Sequence, residues 1–278
     1  MAETQNKKQS NLKALLSSFT VLYRQRWLIG YFIRRDLFHT YKSSYLGVFW
    51  SFLDPLVMIV LYTFVFGAVL QLRFTQNSDP ITFGLYIYCG LIPYLAFSNG
   101  VEEAVSTIRK NNNLVQKVVF PIEILPLSEV AVGFISQLFS LGGLIIIFAF
   151  LKDEVHWTIL LLPVVMVPQI LFTFGIGYIV SALGTFIPDI KEIMSALLRA
   201  LLFATPILWP ASMIPEKYRV LVELNPFTFI VDAYRGLVLE GQIPNMSWLV
   251  WFTFFSAAVF VAGFTLFQYN KLKFADVL

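Results

Sequence analysis

The chain has 278 residues, 58% of them hydrophobic and only 13% charged, about half the charged share of a soluble domain. A surface facing water on every side cannot be built from that composition, so a single soluble domain is excluded. The formal net charge of +3 argues against a nucleic-acid binder. The lone cysteine, Cys89, permits neither a disulfide framework nor a zinc site within one chain.

Residues 1–30 form an N-terminal segment, and the first 47 residues are polar or amphipathic and lack a plain apolar core with a cleavage site, so no signal peptide is expected there. The next stretch, 31–47, reads as an amphipathic helix. At 100° per residue Ile33, Leu37, Tyr41, Ser44 and Val48 share one arc, and Arg35, Asp36, His39, Thr40, Lys42 and Ser43 lie opposite. That pattern predicts a helix along the cytoplasmic interface with its basic groups among headgroups. An ordinary basic flank before a first span is the alternative.

From residue 48 the chain is dominated by apolar runs. Six approach the roughly 20 residues that a helix needs to cross a bilayer: 48–72, 81–99, 130–151, 157–183, 193–210 and 248–267. The runs are continuous and do not alternate, so helices rather than barrel strands are expected, and the fold class is all-α. Residues 48–270 form the membrane domain and 271–278 a short tail. With an even number of spans, fourteen Lys and Arg fall on the side of the termini and five on the other. That asymmetry predicts cytoplasmic termini. Trp50, Trp157, Trp209 and Trp248 fall near span ends, where indoles favour the interface.

Two links depart from a plain bundle. In 102–130, the Asn-rich middle interrupts any continuous helix. It leaves Leu114, Val115, Val118, Val119 and Phe120 beside Lys117, as a knob for a cytoplasmic partner or as a solvated loop. In 205–246, five prolines and apolar runs too short to span predict re-entrant or surface-lying helices at the outer mouth. Such backbone is tolerated at membrane depth only when buried in protein or lining a cavity. Within the spans, Arg199 lies on a helix with Ala196, Ala200 and Ala204 at every fourth position, a stripe that allows close helix approach. Arg199 either meets an anionic substrate on a polar path, pairs with Asp54 or Glu192, or snorkels to the interface. The acidic character of Asp54, next to Pro55, has no account from the sequence beyond a local cap.

No Gly is followed by Lys, so no phosphate-binding P-loop exists in the chain. GxSxG, HExxH and CxxC are absent as well, which argues against catalysis by this chain and against a bound metal.

Three blocks in order carry a family resemblance: "IRRDLFHTYKSSYLGVFWSFLDPLVMIVLYTFVFG", "NNNLVQKVVFPIEILPL" and "TPILWPASMIPEKYRVLVELNPFTFIVDAYRGLVLEG". The sequence from about residue 30 onward resembles permease subunits of ABC-2 type exporters, in the branch that exports O-antigen, capsular polysaccharide or wall teichoic acid. The resemblance implies six spans, an interface helix and a homodimer around a central conduit. It also implies two copies of a separate cytoplasmic ATPase that carries ATP and Mg, no cofactor on this chain, and a polyprenyl-linked glycan as substrate in a bacterial inner membrane. Arg34, Arg35, Lys42, Arg199, Tyr62, Phe66, Tyr86 and Tyr88 become substrate-path candidates, the aromatic ones because sugar faces stack on flat rings. Asn113, Leu114, Val115, Lys117 and Phe120 become ATPase-coupling candidates. Pro206, Trp209, Pro215, Asn225, Pro226 and Arg235 become outer-gate candidates. A drug or lipid permease of the same family, or a secondary transporter from a different class, are the competing readings.

Overall fold

A computed structural model of the chain describes residues 24–41, 50–71, 80–118, 120–209 and 213–278. The regular elements among the described residues are helices. They are α1 (Arg26–Tyr41), α2 (Trp50–Tyr62, continued by a π-helical stretch Thr63–Val69), α3 (Pro80–Lys110), α4 (Asn112–Lys117) and α5 (Ile124–Lys152). Then follow α6 (Leu162–Phe186, preceded by a 3₁₀ turn Trp157–Leu161), α7 (Ile190–Ala204), α8 (Glu216–Glu223) and α9 (Pro226–Arg235, continued by a π turn Gly236–Glu240). The last are α10 (Met246–Asn270), a 3₁₀ turn Lys271–Lys273 and α11 (Phe274–Val277). The end of the bundle that holds α1, α4 and α11 is called proximal here, and the end that holds α8 and α9 distal.

α3 is the central post. It is apolar around its circumference from Phe83 to Phe97, the pattern of a helix surrounded by protein, and nearly every side chain over that length is buried. It packs against α2, α5, α6 and α9. α10 is the opposite case: it packs chiefly on α6 and leaves Val250, Phe254 and Val261 exposed. The α6–α10 seam closes to backbone contact at two glycines. A Cβ at Gly175 would sit 2.7 Å from the Val259 carbonyl, and one at Gly263 would overlap the Gly175 carbonyl oxygen. Small residues at such crossings let helices gain dispersion contacts where lipid offers no hydrophobic driving force.

The helices are pinned by a polar knot in the apolar interior. Tyr234 of α9 donates to Gln169 Oε1 of α6 at 2.6 Å and accepts from Gln137 Nε2 of α5 at 2.5 Å. Gln169 Nε2 also donates to the Pro93 carbonyl of α3 at 3.1 Å. All three side chains are buried, so each bond replaces a polar group that would otherwise be unsatisfied.

Four helical stretches are long and apolar enough to cross a bilayer: Pro80–Lys110, Ile124–Lys152, Trp157–Phe186 and Met246–Val277. Leu56–Val69 is a shorter apolar helix. The fifth expected span, 193–210, differs in the structure: its helix ends at Ala204, and its 15 residues reach only about 22 Å of a hydrocarbon core of about 30 Å. Thr205 is extended, ψ 140°, because a residue before proline is pushed out of the α region.

The helix expected over 31–47 starts earlier, at Arg26, and its phase differs. Leu28, Ile29 and Phe32 turn toward the protein, and Trp27, Tyr31, Arg34 and Phe38 form the exposed stripe. Apolar groups on both faces blur the period, which explains the different phase. Residues 42–47 of that expected helix, Lys42 included, lie outside the described residues, as does the side chain of Asp54.

Replacing Gly263 by Ala is expected to wedge α6 from α10 and destabilise the bundle by about 1–3 kcal/mol. A melting temperature in detergent equal to that of the unmodified protein would contradict this seam.

Candidate functional site

Irregular backbone is concentrated at the distal end, and one side chain organises it. After α7 the chain turns at 205–209 and exposes carbonyls that no helix satisfies. Arg235 Nη1 donates to the Pro206 carbonyl at 2.8 Å, Nη2 to Ile207 at 3.0 Å and Nε to Tyr86 at 3.0 Å. A planar guanidinium with five donors in a fixed fork is suited to three carbonyls at once. Arg235 is 5% exposed. Burial pulls its pKa down, and Asp232, whose carboxylate lies 3.9 Å away, pushes it back up. Gly90 of α3 makes the room: a Cβ there would meet Arg235 Nη2 at 3.1 Å.

The start of α9 is fixed in the same knot. Asn225 caps it by accepting from Phe227 N at 2.9 Å, with Pro226 at the first helical position. Asn225 Nδ2 donates to Thr205 Oγ1, also at 2.9 Å. Of the six outer-gate candidates, Pro206, Asn225, Pro226 and Arg235 therefore meet in one cluster. Trp209 donates to the Phe203 carbonyl at 3.1 Å, and Pro215 precedes α8.

Beside this cluster a groove of about 770 Å³ opens between α3, α9, the π turn and the start of α10. Tyr86 OH donates to Glu240 Oε1 across it at 2.7 Å. The other aromatic candidates are dispersed. Tyr62 and Phe66 pack along α2, with Phe66 stacked on Phe83 at 6.3 Å, and Tyr88 is buried in the core. Arg199 is exposed on α7 and donates to Ser195 Oγ at 2.6 Å.

At the proximal end the coupling candidates divide into two groups. Asn113 and Lys117 are exposed on α4, whereas Val115 is buried and Leu114 half-buried. Phe120 stacks on Phe32 of α1 at 6.2 Å, with the planes 11° apart. The basic pair of α1 divides likewise. Arg34 lies exposed over the Phe38 ring. Arg35 turns inward, pairing with Asp36 at 2.7 Å and donating to Asn111 Oδ1 at 3.3 Å, just before α4. Arg35, Asp36, Glu103, Lys110 and Glu129 line a second cavity of about 570 Å³ here.

The tail supports α4 from the other side. Phe274 is fully buried against Phe267 and Phe186. Lys271 Nζ and Gln268 Nε2 both bond Glu123 Oε1, at 2.7 and 2.6 Å. Sequence reasoning missed Glu123, Gln137, Gln169 and Tyr234. The two glutamines had a visible signal, being isolated amides within apolar runs.

Four apolar helices of spanning length among the described residues define an integral membrane protein of the helical-bundle class. The chain belongs to the ABC-2 type transporter family, whose model matches residues 28–239. It is 29% identical over 257 residues to the O-antigen export system permease protein RfbA of Myxococcus xanthus, covering 92% of this chain and 96% of that protein. RfbA of Klebsiella pneumoniae is 28% identical over 247 residues, 88% of this chain and 92% of the relative. The polysialic acid transport protein KpsM of Escherichia coli is 26% identical over 244 residues, 84% and 90% respectively.

The carbonyl cradle has a direct test. Arg235→Ala leaves buried acceptors unsatisfied, at about 1–3 kcal/mol each, and is expected to lower the melting temperature and open 205–225 to protease. Arg235→Lys keeps the charge but not the fork, and is expected to fall between the two. Equal stability of all three proteins would remove Arg235 as the organiser of this end.

Proposed function

We propose that this chain is the membrane-spanning permease subunit of an exporter that moves a lipid-linked cell-surface polysaccharide, most similar to O-antigen, out of the cytoplasm. The observation that carries this reading is the near end-to-end match to an O-antigen export permease, over 92% of this chain and 96% of the relative. The match to a polysialic acid transport protein supports polysaccharide as the cargo class over a drug or a lipid.

In this reading six segments make up the membrane domain, the fifth formed by α7 together with the turn over 205–209, both termini are cytoplasmic, and the proximal end faces the cytoplasm. The basic asymmetry of the sequence supports that orientation. α1 lies at the interface, and its exposed Trp27, Tyr31, Arg34 and Phe38 suit a headgroup boundary. Two copies of the chain pair to form the conduit. α7 supports pairing, since Ile193, Ala196, Leu197, Ala200 and Phe203 are exposed, and a short apolar helix in lipid gains from a close partner.

ATP and Mg are held by two copies of a separate ATPase subunit, and this chain contributes no cofactor site or catalytic residue. α4 offers the ATPase a short helix with Asn113, Gln116 and Lys117 outward. Arg34 suits the phosphate of a polyprenyl carrier, whereas the inward pairing of Arg35 suits holding α1 against α4.

Affinity purification of the tagged chain from native membranes in mild detergent is expected to recover an ATPase subunit at one-to-one stoichiometry. Lys117→Glu together with Asn113→Asp is expected to lower that recovery several-fold while leaving membrane insertion unchanged. A chain that purifies alone and stays stable would sink the permease-subunit reading.

A further inference from the structure

The distal groove is built from side chains whose chemistry goes beyond gating. Its walls carry two carboxylates, Asp232 and Glu240; two amides, Gln242 and Asn245; and three aromatic groups, Tyr86, Phe229 and Trp248. Among the described residues that line it the one cation is Arg235, which directs its donors at the carbonyls of Tyr86, Pro206 and Ile207 rather than into the groove. Two acids thus stand against one buried cation, and the groove is electronegative.

Hydrogen-bonding capacity remains on the walls. A carboxylate offers about four acceptor positions. Glu240 receives Tyr86 OH at one oxygen, and Asp232, with 60% of its side chain exposed, meets Arg235 only at 3.9 Å. Asn245 uses its oxygen to cap α10, accepting from the backbone N–H of Ser247 and Trp248, so its amide donors point elsewhere. The Trp248 ring is 40% exposed and is held edge-on by Trp251 at 5.5 Å.

Carboxylates that accept from neighbouring hydroxyls, an amide that donates, and a flat ring for the C–H face of a pyranose together describe a sugar-recognition site. The same carboxylates disfavour a ligand that carries its own negative charges. Resting on the export reading above, we propose that this groove binds a neutral sugar segment of the translocating glycan as it leaves the bundle, and that it disfavours polyanionic chains.

The test uses the purified full-length protein in nanodiscs and saturation-transfer NMR with two probes, mannotetraose and a tetramer of α2,8-linked sialic acid. Mannotetraose is expected to give transfer signals and the sialic acid tetramer none. Asp232→Asn with Glu240→Gln, and separately Trp248→Ala, are expected to weaken mannotetraose about tenfold, the loss of one or two hydrogen bonds or a stacking face. Trp248→Tyr, which keeps a flat ring, is expected to retain binding and guards against a folding defect in Trp248→Ala.

The proposal is overturned if mannotetraose gives no signal, if the sialic acid tetramer binds as well or better, or if all variants bind as the unmodified protein does. Surface glycan measured in cells separates the two readings. A gene deletion that leaves the glycan in place removes the export reading while groove binding stands. Export lost on deletion, with no sugar bound in the groove, removes only the groove.

Discussion

Backbone that leaves regular helix inside an apolar environment must have its polar groups satisfied by the protein itself. At the turn over 205–209 that constraint is met chiefly by one guanidinium. Arg235 reaches carbonyls contributed by positions 28, 29 and 149 residues away in sequence. It thereby lets the segment after Ala204 turn without a helix. Tyr234, the residue before it, is held by Gln137 and Gln169. Two adjacent side chains of α9 thus point into different polar partners and tie α3, α5, α6 and the 205–209 turn together. Lone hydrogen bonds between membrane helices average only about 0.6 kcal/mol. The stability of this region must therefore come from several bonds sharing one anchor, with the buried aromatic cluster Phe97, Phe172 and Phe227 packed alongside.

That anchor decides which distal elements are held and which are not. α9 begins at a capped proline and ends in buried residues, so it is a fixed wall. α8 leaves Tyr218 and Val220 exposed and packs mainly against α9. Had the prolines of 205–246 been distributed around moving hinges, the partners of Arg235 would have to break in each movement. Those bonds are charge-assisted and two of the three are buried, the class most costly to break. Any rearrangement at this end therefore falls first on α8, whose helix gives up little contact by moving.

Much of this was legible in the sequence, for reasons that differ by element. The spanning helices were readable because apolar runs of 20 residues have few other interpretations. α3 and α10 both read as spans, but nothing in their composition said that one is the buried post and the other an exposed flank. That distinction is set by what packs around them. The fifth run was read too long because hydropathy continues through Ile207 and Leu208, whereas the backbone is already diverted before Pro206. For α1 the reading began at residue 31, whereas the helix starts at Arg26 and its exposed stripe runs through Trp27, Tyr31, Arg34 and Phe38. Arg235 was visible as an unusual charge among the outer prolines, but its partners are brought together only by the fold. The same holds for Glu123 and Lys271, which sit 148 residues apart.

The proximal end follows the same logic with different chemistry. α4 has only six residues, too short to persist alone in water, so its shape must be imposed by neighbours. Val115 inserts into a cluster with Ile122, Ile124 and Phe274, while the Phe120–Phe32 stack and the Arg35–Asn111 bond fasten its two flanks to α1. Glu123 is nearly fully buried, and Gln268 of α10 and Lys271 of the tail both reach its Oε1. A displacement of α4 therefore cannot remain local: it strains α1 through an aromatic stack and the tail through a packed phenylalanine. A helix of little intrinsic stability is thus held by its neighbours, and its exposed polar face is presented on a mount formed by α1 and the tail.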